Sequence, residues 1–279
     1  MVKNMPKLVY DFKVKEATES LIEGIREWFE VNGKGCNAVL GVSGGKDSSV
    51  VAALCVKALG ADRVIGIKMP NGHQHDINVA NELIEFLGIK SFEHNIADTY
   101  NAAVATMKAN GVEPSEQATI NLAPRIRMSI LYFYSQTFNG RVMNTSNLSE
   151  DWVGYATRYG DAAGDYSPLS FYTVDEVKKI GYELGLPAKF IEKVPEDGLV
   201  GKTDEDNLGV KYATIDRYLR TGEFDSQADV DIINSKWEKN WFKVHNMVCY
   251  QPKVGHLYRL ADGDKAEYPP CFRDDRWRP

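Results

Sequence analysis

The sequence predicts an α/β protein with a mainly parallel sheet flanked by helices, and three observations carry that expectation. Short uninterrupted apolar runs alternate with amphipathic segments of helical spacing, as strands buried on both faces alternate with the helices that cover them. Glycines at 33, 60 and 88 stop successive helical patterns. A glycine-rich hexapeptide, Ser43-Gly44-Gly45-Lys46-Asp47-Ser48, falls at a strand-to-helix junction.

In chain order, Val14, Ala17, Leu21, Ile25, Trp28 and Phe29 recur at helical spacing and predict a helix ending near Asn32-Gly33. Ala38–Val42 reads as a buried strand, Ser49–Leu59 as a helix, Arg63–Met69 as the next strand and Asp76–Leu87 as the next helix. Ser91–Ile96 and Arg141–Thr145 are further strands, with helices over Ala97–Ala109 and Gln117–Phe138 between them. Helices are then expected at Val174–Leu184, Ile215–Leu219 and Ala228–His245, the last with Ile232, Ile233, Trp237 and Trp241 on one side. There is no repeat or low-complexity linker. Residues 1–249 read as one α/β domain, and 250–279 as a tail rich in Pro, Tyr, Asp and Arg with no assignable pattern.

Composition narrows the function classes. Lys plus Arg is 33 against 39 Asp plus Glu, a net charge of −6, which argues against a duplex nucleic-acid binder. Cys36, Cys55, Cys249 and Cys271 show no CxxC or metal-ligand spacing. His73 and His75 form a His-x-His pair whose only recognisable companion is His94, so zinc is not expected. No signal peptide or membrane span is legible, and a cytoplasmic protein is expected.

The hexapeptide has the residues of a phosphate-binding loop. Gly44 and Gly45 permit close backbone approach, and their amides can converge with those of the following helix N-terminus on one anion. Ser43 and Ser48 add hydroxyls, and Lys46 a mobile positive charge. Asp47 either caps free amides or holds magnesium beside the phosphates. The loop is not a Walker A motif, because Leu40 and Asp47 stand where that pattern needs Gly and Ser or Thr.

The run resembles the loop of enzymes that cleave ATP between its α and β phosphates. Further runs resemble the ammonia-dependent NAD synthetases: Pro70–Asp76, Asn121–Met128 (with Pro124 in place of an alanine), Thr145–Glu150, Gly154–Asp161 continued by Asp165, Pro168 and Leu169, and Asp204–Tyr212 with Ile215-Asp216. The resemblance covers about residues 15 to 245. It implies a Rossmann-like fold of the adenine nucleotide alpha hydrolase type and a reaction in which deamido-NAD is adenylated by ATP and amidated by ammonia. It implies an ATP side made of Gly41, Ser43, Gly44, Gly45, Lys46, Asp47, Ser48, Met69, Arg127 and Thr145. Asp47 and Glu150 would hold Mg2+, and Asn121, Arg125, Tyr155, Arg158, Asp161, Asp165, Glu205 and His245 would face deamido-NAD. Lys46, Asp47 and Asp161 are the expected catalytic residues, and a homodimer is the expected assembly.

Read without the resemblance, Arg125 and Arg127 lie two apart on one helix and cannot share a face, and a solvated surface explains a lone arginine as well as phosphate does. Two positions depart from the family pattern. Val174 stands where a phosphate-side lysine is usual, and Glu196 where a hydroxyl is usual; Lys202 is the residue expected to supply the missing charge.

Overall fold

In the computed structural model, residues 10–74, 77–193 and 203–243 are described. The first helix, α1 (Val14–Asn32), buries Leu21, Ile25 and Phe29 of the predicted stripe together with Thr18, while Val14, Ala17 and Trp28 are half-buried at its edges. Strand β1 (Asn37–Gly41) follows, and Ala38, Val39 and Leu40 are all buried. Consecutive buried residues mean that both faces of the strand are covered. Next come α2 (Lys46–Leu59), β2 (Val64–Lys68), α3 (Ile77–Leu87) and β3 (Lys90–Glu93). After α4 (Ala97–Ala109) and α5 (Glu116–Thr137) the chain returns as β4 (Gly140–Val142).

All pairings are parallel and the strand order is β3-β2-β1-β4. Ala38 aligns with Val64 on one side and with Arg141 on the other. One face of the sheet packs with α1, α2 and α3 in a core containing Ile25, Phe29, Leu40, Leu54 and Leu83. The other face packs on α5 through Val39, Ile67, Met128, Leu131 and Val142. The remaining helices are α6 (Leu148–Val153), α7 (Val174–Glu183), α8 (Ala188–Ile191), α9 (Asp204–Leu208), α10 (Tyr212–Thr221) and α11 (Gln227–Asn240). A separate apolar cluster joins Val153, Val174, Leu208, Val210, Tyr212, Ile215 and Ile233 from this second half.

Several boundaries differ from the sequence expectation. Helix α2 begins at Lys46 rather than Ser49, because Gly45 is extended and acts as its N-cap (φ −81, ψ 164). That shift puts Lys46 and Asp47 in the first helical turn. Strand β3 stops at Glu93, although His94 and Ile96 still donate to the carbonyls of Lys68 and Pro70 at 2.8 Å each. Strand β4 ends at Val142 rather than Thr145, since Met143 instead bridges to Tyr166. Helices α6, α8 and α9 were not expected; at four to six residues each, they are too short for a 3.6-residue period to show. The predicted helix at 228–245 ends as α-helix at Asn240, and the expected tail 250–279 lies outside the described residues.

Candidate active site

The strand order reverses direction at β1, whose neighbours are β2 and β4. In an open parallel sheet this leaves a crevice beyond the carboxyl ends of the two diverging strands, β1 and β4, because their following segments leave in different directions. A pocket of about 130 Å3 opens there. Ser43, Gly45, Asp47 and Ser48 line it from the segment after β1; Thr145, Ser146, Glu150 and Asp161 line it from the segment after β4.

The loop is folded by its own hydroxyls. Ser48 Oγ donates to the Gly45 carbonyl at 3.1 Å and lies 3.1 Å from Ser43 Oγ, which accepts from the Gly45 amide at 3.2 Å. Gly44 has φ +76, and a Cβ there would sit 2.9 Å from the Ala80 nitrogen at the start of α3. Gly41 makes room on the other side, where a Cβ would stand 3.2 Å from Met69 Cε. Arg127 donates to the Met69 carbonyl at 3.0 Å, so α5 fixes the segment after β2 against the loop.

The charged centre is Lys46, 4% exposed. Its Nζ donates to Asp47 Oδ2 at 2.8 Å and to Glu150 Oε1 at 3.4 Å, so it is pinned rather than mobile as the sequence suggested. Burial pulls down the ammonium's pKa, but the two carboxylates outweigh it and keep Lys46 protonated. Asp47 does not cap its helix; its other oxygen accepts from Asn147 Nδ2 at 3.0 Å, the residue that N-caps α6 through the Glu150 amide. Burial, followed by the charge of Asp47, raises the Glu150 carboxyl above the usual carboxylate range against the pull of Lys46. Burial likewise raises Asp161, opposed by the Thr157 amide, which donates to it at 2.9 Å. Asp151 is pushed up to about 7 by burial and by Asp161.

A hard dication takes oxygen ligands and commonly uses only one or two carboxylates, leaving its other positions to water and phosphate. Asp47 and Glu150 fit that role because both reach one point, the Lys46 ammonium, from opposite sides of the crevice. Among the described residues no group of three or more His, Cys, Asp or Glu side chains could hold a metal by itself. The arrangement suits a cation completed by phosphate oxygens.

The other expected residues do not share one setting. Asn121 and Arg125 meet the 157–161 segment: Thr157 Oγ1 donates to Asn121 Oδ1 at 2.9 Å, and Arg125 Nε to the Arg158 carbonyl at 3.3 Å. Gly160 allows this approach, since a Cβ would lie 2.8 Å from Pro124 Cβ. Tyr155 packs on the second apolar cluster, and Arg158 lies over the rings of Tyr159 and Phe242 at 5.0 and 5.4 Å. Two of the expected carboxylates accept hydrogen bonds from the chain itself. Asp165 accepts from the Val142 amide at 2.7 Å and from Tyr132 at 3.2 Å, fastening β4; Glu205 accepts from the Tyr212 amide at 2.9 Å, at the start of α10. Lys202, Glu196 and His245 lie outside the described residues. Val174 is buried in the second cluster, and its amide donates to Ser149 Oγ at 3.1 Å.

The sequence reading missed the support beneath Glu150. Buried Asp216 accepts from Ser149 Oγ at 2.5 Å and from the Asp175 amide at 2.9 Å, so one carboxylate joins α6, α7 and α10. Asn147, Ser146 and Tyr212 were also unassigned. Asn147 lay within a quoted motif, and its position just before a helix was the available signal. Ser146 lay in the same run, and Tyr212 and Asp216 in the Asp204–Tyr212 and Ile215-Asp216 runs, but membership of a run does not say which side chain is buried beneath the site.

A family model described as NAD synthase matches residues 17–251. The NH(3)-dependent NAD(+) synthetase of Methanocaldococcus jannaschii is 41% identical over 218 residues, covering 75% of this chain and 83% of that protein. Among solved structures, the NMN synthetase from Francisella tularensis aligns with a TM-score of 0.79 and 32% identity, over 88% of this chain and all 100% of that one. The NH3-dependent NAD synthetase from Campylobacter jejuni aligns with a TM-score of 0.70 and 28% identity, over 86% of this chain and 100% of that one.

Proposed function

The chain belongs to the NAD synthase family, and from that premise we propose that it amidates deamido-NAD to NAD with ATP and ammonia. The observation that carries the proposal is the meeting of the glycine loop, Lys46 and the Asp47–Glu150 pair in one crevice at the ends of β1 and β4. A loop that presents helix amides, hydroxyls and a buried ammonium is built for the leaving pyrophosphate.

In this reading the deamido-NAD carboxylate attacks the α-phosphorus of ATP. The bond to the β-phosphate oxygen breaks, giving an acyl-adenylate and pyrophosphate. The Gly44 and Gly45 amides, Ser48 and Lys46 receive the negative charge that develops on the leaving group. Asp47 and Glu150 would hold magnesium, which would supply positive charge against the phosphates. Ammonia then attacks the activated carbonyl and AMP leaves with the bonding electrons. Asp161, on the post-β4 wall, takes the proton from the nitrogen, and its raised pKa suits that task. Asn121, Arg125 and the 155–161 segment form the wall toward the pyridine nucleotide.

The relatives named for ammonia support free ammonia as the nitrogen donor. The homodimer expected from the family resemblance is part of this reading, with α5 as the helix to test at its contact. No described helix is long and apolar enough to cross a membrane, and the net charge disfavours nucleic acid as a partner. A second reading, formation of NMN from the corresponding acid mononucleotide, is favoured by the Francisella tularensis relative alone.

The deciding assay supplies the protein with ATP, magnesium, and ammonium or glutamine, with either deamido-NAD or the acid mononucleotide as acceptor. NAD and pyrophosphate appearing together from ammonium and deamido-NAD is the expected result. Turnover of the mononucleotide alone selects the second reading, and no pyrophosphate release with either acceptor refutes both.

A further inference from the structure

We propose that the Tyr212 hydroxyl is a ligand-binding group of the phosphate site, donating to an oxygen that arrives with the magnesium–triphosphate moiety of the substrate. The inference rests on the ATP reading above. Tyr212 is 7% exposed, yet its hydroxyl has no hydrogen-bond partner. A buried donor left unpaired is costly, and native proteins keep few of them without a use.

Its position gives it one. The Lys46 ammonium lies over its ring, 5.8 Å from the centroid. The backbone amide is tied to Glu205, and Val153, Val174, Leu208, Val210 and Ile215 pack in the same cluster, so the ring is held in place. Burial, then the charges of Glu150, Asp204 and Asp47, keep the phenol protonated, and so a donor.

Three of the nearby carboxylate oxygens already hold other donors. Both Asp47 oxygens are taken, by Lys46 and Asn147, and Glu150 Oε1 by Lys46. The hydroxyl therefore stays unpartnered beside the charged cluster of Lys46, Asp47 and Glu150, behind the residues that line the pocket. An incoming phosphate oxygen or magnesium-bound water has the missing chemistry. The group is a liability in the free protein and satisfied in the complex, which separates it from a tyrosine kept for packing.

The test is Tyr212→Phe, which keeps the ring under Lys46 and removes only the hydroxyl. Its ligand-free thermal midpoint should equal or exceed that of the parent, because an unpaired buried donor has gone. Calorimetric binding of α,β-methylene ATP, with and without magnesium, should weaken about tenfold, the loss of one hydrogen bond to a charged acceptor. An equal penalty in both conditions assigns the acceptor to a phosphate oxygen; a penalty only with magnesium assigns it to metal-bound water. Unchanged affinity in both conditions overturns the proposal, as does a marked fall in the ligand-free midpoint, which would mean the hydroxyl is already satisfied. Failure of the parent protein to bind the analogue would instead refute the ATP reading itself.

Discussion

Gly44→Ala isolates what the loop geometry requires. At φ +76 an L side chain costs about 1–2 kcal/mol in the left-handed region. The new Cβ would also stand 2.9 Å from the Ala80 nitrogen and 3.1 Å from Val79 Cβ. The first contact is with backbone at the start of α3, so no side-chain rotation relieves it. Overpacking of that kind adds about 1–3 kcal/mol, for a total of about 2–5 kcal/mol. Gly222→Ala is the matched control: its φ is +72, but nothing lies within 4 Å of the built Cβ, so only the backbone cost remains. Urea unfolding of both variants measures the difference, and nucleotide binding reads the loop. Gly44→Ala should be the less stable by about 1–3 kcal/mol and should bind ATP at least tenfold more weakly, since relief requires moving the amides that face phosphate. Equal stability of the two variants, with unchanged ATP affinity in Gly44→Ala, would refute the claim that the loop's contact with α3 fixes the phosphate site.

Lys46→Met leaves Asp47 and Glu150 facing each other without their cation, and breaking a buried pair in this way costs about 3–5 kcal/mol. Since protonating Glu150 relieves the repulsion, the deficit should widen from pH 6 to pH 9; equal deficits in urea unfolding at both pH values would contradict the charge arrangement. Asp151 is raised from 3.8 to about 7, so the folded state binds more protons than the unfolded one between those values and loses stability as pH rises through that window. Asp151→Asn should therefore flatten the fall in unfolding free energy between pH 4 and pH 8, by at most about 4 kcal/mol, and an unchanged slope would count against the burial of that carboxyl. Asp216→Asn sets an amide donor against the donors of Ser149 or Asp175, costing about 1–3 kcal/mol, and should raise the magnesium concentration needed for ATP binding because α6 carries Glu150. A stability loss with an unchanged magnesium requirement would confine Asp216 to holding the fold.

The layered sheet and the position of the phosphate loop were legible in the sequence because they depend on local pattern. Ala38–Leu40 are apolar on both faces, α1 carries a stripe at helical spacing, and a glycine loop between strand and helix has few other uses. The motif order likewise indicated the family. What the sequence left open was which side chains spend their hydrogen bonds on the fold and which on a ligand. Asp165 and Glu205 carry the same carboxylate as Asp161, yet only Asp161 of the three lines the pocket; Asp165 accepts from the Val142 amide 23 residues away and Glu205 from the Tyr212 amide at the next helix start. Lys46 read as a mobile cation until Glu150, 104 residues away, closed over it. Local pattern determines where the chain makes helices and strands; burial and long-range pairing, which depend on how those elements pack, decide which of their polar groups remain available to phosphate and metal.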